Sequence, residues 1–182
     1  MRVVAGKYKG FNLKAPKNKN TRPTDNKVKE AIFDMLYPIK TEAIALDLFA
    51  GSGQMGIEFL SRGLDLVYFN EIDRFGFKVL KDNLEKIKDD NYILTKLDYK
   101  LFLEDCKNKD IKFDYIFLDP PYDADYIDKS LSLIKDYELL NEDGIVVTES
   151  DRELDFNEEF DLYLYKEKMY GRKIVKFYTK WK

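Results

Sequence analysis

The sequence predicts an α/β protein: a mostly parallel sheet with helices on both faces, closed by an antiparallel C-terminal pair. Three observations carry that prediction. Between residues 43 and 148, short apolar runs alternate with stretches whose apolar residues recur at helical spacing, the mark of strand–helix–strand units. The runs end abruptly in acidic, glycine or proline residues, as buried parallel strands do where they emerge at a sheet edge. After residue 159 the helical period gives way to polar–apolar alternation on either side of Gly171, which reads as two antiparallel strands.

Residues 2–14 (RVVAGKYKGFNLK) read as two short strands around Gly6 and Gly10, a lysine-rich hairpin. Residues 16–24 (PKNKNTRPT) lack periodicity and form a loop. Thr24 is placed to cap the helix that follows, with Asp25 favoured in its first turn by the helix dipole. Val28, Ala31, Ile32, Met35 and Leu36 share one face of that helix, and Pro38 ends it. Ala43–Phe49 is the first strand of the sheet, followed by a helix from about Gln54 to Arg62 that closes at Gly63. Leu66–Asn70 is the second strand. Arg74 to about Lys88 is a helix with Phe77, Leu80, Leu84 and Ile87 on one side. Tyr92–Thr95 is a third strand, Tyr99–Cys106 a short helix, Phe113–Leu118 the fourth strand. A helix over Tyr126–Lys135, a fifth strand over Gly144–Thr148, and the pair Phe160–Lys166 and Lys173–Tyr178 complete the pattern. The expected division is a basic N-terminal hairpin, loop and helix (1–40) and an α/β body (41–182).

Composition narrows the chemistry. With 182 residues and 45% hydrophobic content, the chain suits one globular domain with a small appendage. No apolar run nears the roughly 20 residues of a bilayer span, and no signal peptide is expected. The lone Cys106 fits a reducing cytoplasm, the expected location. Histidine is absent, which excludes Ser-His-Asp and Cys-His mechanisms and argues against a zinc site; no metal is expected. Charge is uneven. Residues 1–40 hold ten Lys/Arg against three acids, and residues 166–182 hold seven against one. Residues 41–165 hold 14 against 30. Basic ends on an acidic body fit an anionic macromolecular partner, against the plainer reading of scattered solvated lysines.

Two segments carry the chemistry. Gly51-Ser52-Gly53-Gln54-Met55-Gly56 fits G-x-G-x-x-G between a strand and a helix, and Glu71 follows 20 residues after Gly51. Alone, that describes a dinucleotide site, and hence an NAD-binding oxidoreductase. The same geometry serves any adenosine-containing cofactor. Asp47 discriminates: a carboxylate there repels a pyrophosphate but suits the ammonium of an amino-acid-bearing cofactor such as S-adenosylmethionine. Asp98 can accept from the adenine amino group, cap the helix 99–106, or do both. Phe113–Leu118 then ends in Asp119-Pro120-Pro121-Tyr122. Two prolines forbid helix and ladder pairing, leaving a stiff loop that bears a carboxylate and a ring.

Asp47-Leu48-Phe49-Ala50-Gly51-Ser52-Gly53 with Asp119-Pro120-Pro121-Tyr122 resembles the Rossmann-like class I S-adenosylmethionine-dependent methyltransferases that modify exocyclic amines. Arg2-Val3-Val4-Ala5-Gly6, Thr21-Arg22-Pro23-Thr24, Val28-Lys29-Glu30-Ala31-Ile32-Phe33, Gly56-Ile57-Glu58, Leu60-Ser61-Arg62-Gly63 and Tyr170-Gly171 extend the resemblance to the bacterial RsmD family, along nearly the whole chain. Gln54-Met55 stands where that family more often has a small residue and Leu, and Asn70 where Val is common.

The resemblance implies methylation of guanine N2 in 16S ribosomal RNA, with S-adenosylmethionine as cofactor. It implies Asp119, Pro120 and Tyr122 as catalytic residues. Asp47, Phe49, Ala50, Gly51, Gly53, Glu71, Asp98 and Asp119 are the expected cofactor-binding set. Arg22, Lys7, Lys9, Tyr122 and Tyr170 are the expected substrate contacts. Lys14, Lys17 and Lys19 can also neutralise phosphate without reading sequence. Arg22 could instead leave its segment to helix capping by Thr24, and Tyr170-Gly171-Arg172 could simply turn the terminal hairpin. The expected partner is a small ribosomal subunit, partly or fully assembled, met by a monomer. Amino methylation of another target, such as adenine N6, uses the same acceptors, and a non-catalytic RNA-binding module is the reading that basic ends alone support.

Overall fold

The computed structural model describes residues 1–15, 26–121, 125–151 and 162–180, and a seven-stranded sheet organises them. The elements run α1 (Asn26–Met35), β1 (Ile44–Asp47), α2 (Gln54–Ser61), β2 (Leu66–Asn70), α3 (Arg74–Ile87), β3 (Tyr92–Thr95) and α4 (Tyr99–Asn108). There follow β4 (Phe113–Leu118), α5 (Asp125–Asp136), β5 (Leu140–Ser150), β6 (Tyr163–Tyr170) and β7 (Lys173–Thr179). The strand order is β3-β2-β1-β4-β5-β7-β6, with β7 antiparallel to both its neighbours and the rest parallel. The predicted mostly parallel sheet with an antiparallel C-terminal edge is the one observed. Strand order reverses between β1 and β4, where neighbouring connections leave in opposite directions and open a crevice at the carboxyl edge.

Alternation along the strands divides the apolar residues between two cores. Ala45, Val67, Phe69, Tyr115, Phe117, Val175 and Phe177 face α1, α2, α3 and the N-terminal segment. Leu46, Tyr68, Ile116, Leu118, Val146 and Tyr178 face α4 and α5. Helix α2 is buried along its whole length, because the sheet covers one side and the N-terminal segment the other. The segment 1–15 and α1 thus share one core with the α/β body. Among the described residues no helix is long and apolar enough to cross a membrane.

Three predicted elements differ from those found. The N-terminal hairpin has one bridge, Arg2 with Asn12, rather than two strands. Its amides are engaged elsewhere: those of Val4 and Ala5 donate to the Glu58 carboxylate, and those of Lys7 and Tyr8 to the Ser61 carbonyl and hydroxyl. Gly6 permits this docking, since a Cβ there would lie 1.8 Å from the Ser61 carbonyl oxygen. Strand β5 extends beyond 144–148 at both ends, because Leu140 pairs with Phe113 and polar Glu149 and Ser150 pair with β7. Strand β6 runs to Tyr170, and an extra residue at Tyr165 shifts its register, so the polar–apolar pattern there misplaces it. The expected Thr24 cap and Asp25 lie outside the described residues.

The N-terminal segment is held by a buried charge network. Lys29 and Glu58 are fully buried and pair at 3.2 Å, and Lys29 Nζ donates to the Arg2 carbonyl at 2.6 Å. Arg62 adds a second cation 3.5 Å from Glu58 and lies over the Phe33 ring. Removing the carboxylate alone strands a buried lysine and two amides. Glu58→Ala is expected to lose about 3–5 kcal/mol in urea denaturation, whereas Lys29→Met/Glu58→Ala recovers part of that loss.

Candidate active site

The carboxyl ends of β1, β2 and β4 meet at the crevice. Asp47 ends β1 with its side chain buried, and the Gly56 amide donates to its Oδ2 at 2.9 Å. Gly53 stands at the N-cap of α2 in a left-handed conformation and offers no side-chain cap, so Asp47 takes an orphan amide of the first turn from across the loop. Burial pushes its pKa up to about 7; the Gly56 amide opposes that rise and the Glu71 charge reinforces it. Glu71 braces the same loop. The Gly51 amide donates to Glu71 Oε2 at 2.6 Å and the Asp73 amide to Oε1 at 2.7 Å, while burial raises this carboxyl too.

The glycine loop is shaped by these two acids and by its packing. Gly51 and Gly53 have φ of +54° and +79°. A Cβ at Gly53 would lie 2.3 Å from Leu80, whereas beside Gly51 there is open space, so bare backbone faces the crevice. Phe49 sits between Tyr99 and Tyr126, with ring centroids 5.6 and 6.0 Å away. Asp98 caps α4 by accepting from the Lys100 amide at 2.9 Å, so its capping role is real. Asp98, Tyr99, Lys100, Asp125, Tyr126 and Lys129 line an open cleft of about 210 Å³ beside it.

Sequence reasoning missed Asn70. Its buried side chain accepts from the Thr95 hydroxyl at 2.9 Å and the Leu97 amide at 3.1 Å, and donates to the Leu97 carbonyl at 3.0 Å. One amide group therefore holds the end of β3 and the approach to Asp98, which valine could not do. The available signal was a polar residue closing an apolar strand beside Glu71.

On the other side of the crevice, Asp119 and Pro120 follow β4 and are partly exposed, with Pro121 exposed. Burial of the carboxyl raises Asp119 well above the usual carboxylate range; Glu149 and Asp47 add to the rise and Lys173 opposes it. Glu149 and Lys173 form an ion pair beside it, 24 residues apart in sequence, which no local motif could have revealed. Strand β1 pairs with both β2 and β4, so Asp47, Glu71 and Asp119 share one edge.

The expected substrate contacts are more dispersed. Lys7 pairs with Asp89 at 2.9 Å, and the Tyr8 hydroxyl donates to the same carboxylate at 2.8 Å. Lys9 is exposed, and Tyr170 is half-buried against the core of the α2 face. Gly171 and Arg172 form the turn between β6 and β7, with Tyr170 paired to Lys173. Tyr122 and Arg22 lie outside the described residues, as do Lys17 and Lys19. Among the described residues no group of three or more metal-ligating side chains occurs.

Asn70→Ala removes the side-chain partner of both the Leu97 amide and the Leu97 carbonyl. A stability loss of about 1–3 kcal/mol is expected, with faster amide hydrogen exchange at Leu97 as the local readout.

The chain is 40% identical over 182 residues to YlbH of Bacillus subtilis, covering 99% of each. It is 31% identical over 173 residues to the ribosomal RNA small subunit methyltransferase D of Haemophilus influenzae, covering 94% of this chain and 89% of that one. The solved structure of yhhF from Escherichia coli superposes with a TM-score of 0.85 at 29% identity, covering 98% of this chain and 96% of that one. The family model described as conserved hypothetical protein 95 matches residues 1–179, and with relatives this similar along most of their length the chain belongs to that family, the RsmD family its motifs resemble.

Proposed function

We propose that this chain transfers a methyl group from S-adenosylmethionine to the exocyclic N2 amine of a guanine in small-subunit ribosomal RNA. The observation that carries the reading is the convergence at one sheet edge of the glycine loop braced by Asp47 and Glu71 with the Asp119-Pro120 turn. Membership of the RsmD family narrows the amine to one in ribosomal RNA.

The residues fit the cofactor. Gly51 presents bare backbone to open space, where a side chain would obstruct a ligand's approach. Glu71 keeps acceptor capacity beyond its two amides for ribose hydroxyls, since an ionised carboxylate has about four lone-pair sites. Asp47 faces a cationic amino group with one oxygen already bonded to Gly56. Asp98 accepts from adenine alongside its capping bond, and Phe49 and Ala50 line the approach. When bound, the cofactor supplies a sulfonium methyl as the electrophile.

The protein's task is to make a poor nucleophile react. The N2 lone pair is delocalised into the guanine ring, and positive charge builds on nitrogen as it turns tetrahedral. The Asp119 carboxylate and the Pro120 carbonyl accept from its two N–H groups and favour that charge, with the proline-stiffened turn limiting reorganisation. Its environment makes Asp119 a better proton acceptor than a solvated carboxylate, so it takes the proton that N2 sheds and passes it to water. Tyr122 stacks on the base, an interaction worth about 1–3 kcal/mol. The guanine must be looped out or flipped to reach this edge.

Residues 1–40 form the RNA-facing part, with Lys7, Lys9 and Arg22 on phosphates and Tyr170 beside the base. So small an appendage favours shape recognition on a partly or fully assembled subunit, met by a monomer in the cytoplasm. Mass spectrometry of 16S ribosomal RNA from a deletion strain tests the reading: one N2-methylguanosine should disappear, and an unchanged set would refute it. Asp119→Ala is expected to retain RNA and S-adenosylhomocysteine binding while turnover falls at least about 10²–10³-fold; near-normal turnover removes Asp119 as an essential acceptor.

Asp47 gives a pH dependence with a definite sign. Its carboxyl titrates at about 7 in the free protein, and an ammonium-bearing ligand prefers the ionised form. Affinity for S-adenosylhomocysteine, measured by calorimetry, should therefore hold above pH 7 and weaken as pH falls below it, approaching tenfold per unit. Asp47→Asn should be weaker at high pH and flat across this window. Tight NAD binding without S-adenosylhomocysteine binding in the same instrument would instead select an oxidoreductase.

A further inference from the structure

Leu118 of β4 pairs with Thr148 of β5, so the residues that follow, Asp119 just past β4 and Glu149 within β5, stand side by side. Glu149 stays within β5, paired with Val175 of β7, and its carboxylate meets Lys173 Nζ. Both partners of this ion pair are withdrawn from solvent: the Glu149 side chain is 2% exposed and that of Lys173 19%. Lys173 begins β7 opposite Tyr170, across the two-residue turn of the terminal hairpin. The hairpin therefore delivers an ammonium to the flank of Asp119.

The charges acting on Asp119 come from every strand around it. Glu149 lies in β5 and Asp151 just after it, Asp47 ends β1, and Lys173 begins β7. Three are anionic and one is cationic. A buried ion pair is weak evidence for stability, since desolvation consumes most of its Coulombic gain. Its position beside the turn Asp119-Pro120 points to an electrostatic task.

We propose that Lys173, anchored by Glu149, is a positioning element of the methyl-transfer site, countering the neighbouring carboxylates so that Asp119 stays aimed as an acceptor for the substrate amine. This rests on the acceptor reading of Asp119 given above. Without Lys173, Asp119 and Glu149 become two desolvated carboxylates at adjacent strand positions, and such a pair retains a proton. A protonated Asp119 presents an O–H donor to an amine that needs acceptors, the wrong polarity. Glu149 in turn anchors Lys173 and keeps its charge from overstabilising the carboxylate, which preserves basicity toward N2. Lys173 and Glu149 act through Asp119 and touch no reacting atom.

The test is the pH profile of kcat with saturating S-adenosylmethionine, on small ribosomal subunits isolated from a strain lacking the enzyme. Loss of the cation makes Asp119 harder to ionise, so in Lys173→Met the acid limb should rise by at least about one unit. Glu149→Gln leaves Lys173 facing Asp119 and should move the limb the opposite way. Lys173→Met/Glu149→Gln should return it near its original position, and Lys173→Arg should restore it. The RNA KM should change little in all four. An unmoved limb in Lys173→Met, or two single variants that shift it in the same direction, overturns the inference. Thermal melts establish folding; should Lys173→Met fail to fold, the opposite shift in the near-isosteric Glu149→Gln decides alone. Asp119→Asn separates the two readings. If it keeps turnover, the acceptor role itself fails; if it is inactive while the Lys173→Met limb stays in place, the positioning inference alone fails.

Discussion

Parallel pairing of β1 with β4 is the constraint on which the rest of the molecule depends. Asp47 lies opposite Phe117, so the last residue of β1 and the turn that leaves β4 emerge at one edge of the sheet. Parallel strands need long crossovers, and the helices in those crossovers cover both faces. The loops after β1, β2 and β4 then emerge together at that edge. The proposed cofactor and substrate halves of the site sit on opposite sides of the point where strand order reverses.

The edge gathers buried acids whose charges are stabilised unequally. Asp47 and Glu71 are both raised by burial, yet each accepts a loop amide that holds it in place. They cap α2 and pin the glycine loop, so one pair of carboxylates holds the loop that faces the proposed cofactor. Asp119 is raised too, by burial and by Glu149, and Lys173 opposes that rise. The N-terminal segment repeats the principle at Glu58, which collects two amides, a lysine and an arginine at the covered end of α2. Through α2 the basic segment and the glycine loop are parts of one packed unit.

Much of this was legible in the chain. Five parallel strands and their helices follow from apolar runs alternating with helical periodicity, and the turns that carry Asp47, Glu71, Asp98 and Asp119 stand where those runs stop. Asp98 was readable as a helix cap by the same logic. The failures are as specific. Gly6 and Gly10 predict two N-terminal strands, but amides in this segment are diverted to Glu58 and Ser61, about fifty positions along the chain. Glu149 and Ser150 carry no strand signal, and β7 makes them strand. The bulge at Tyr165 reverses the polar–apolar phase of β6. In each case a partner distant in sequence overrode local preference.

By itself the sequence determined the fold class, the order of the elements, and the residues placed at the ends of the central strands. These are local properties: periodicity, backbone-breaking residues and the chemistry of single side chains. Only the tertiary structure decided which acids meet. That Asp47 reaches Gly56, that Asn70 holds the 95–98 turn, and that Lys173 and Glu149 stand beside Asp119 all depend on strand register and hairpin closure. Those are set by the simultaneous burial of two cores, a property of the whole chain rather than of any segment in it.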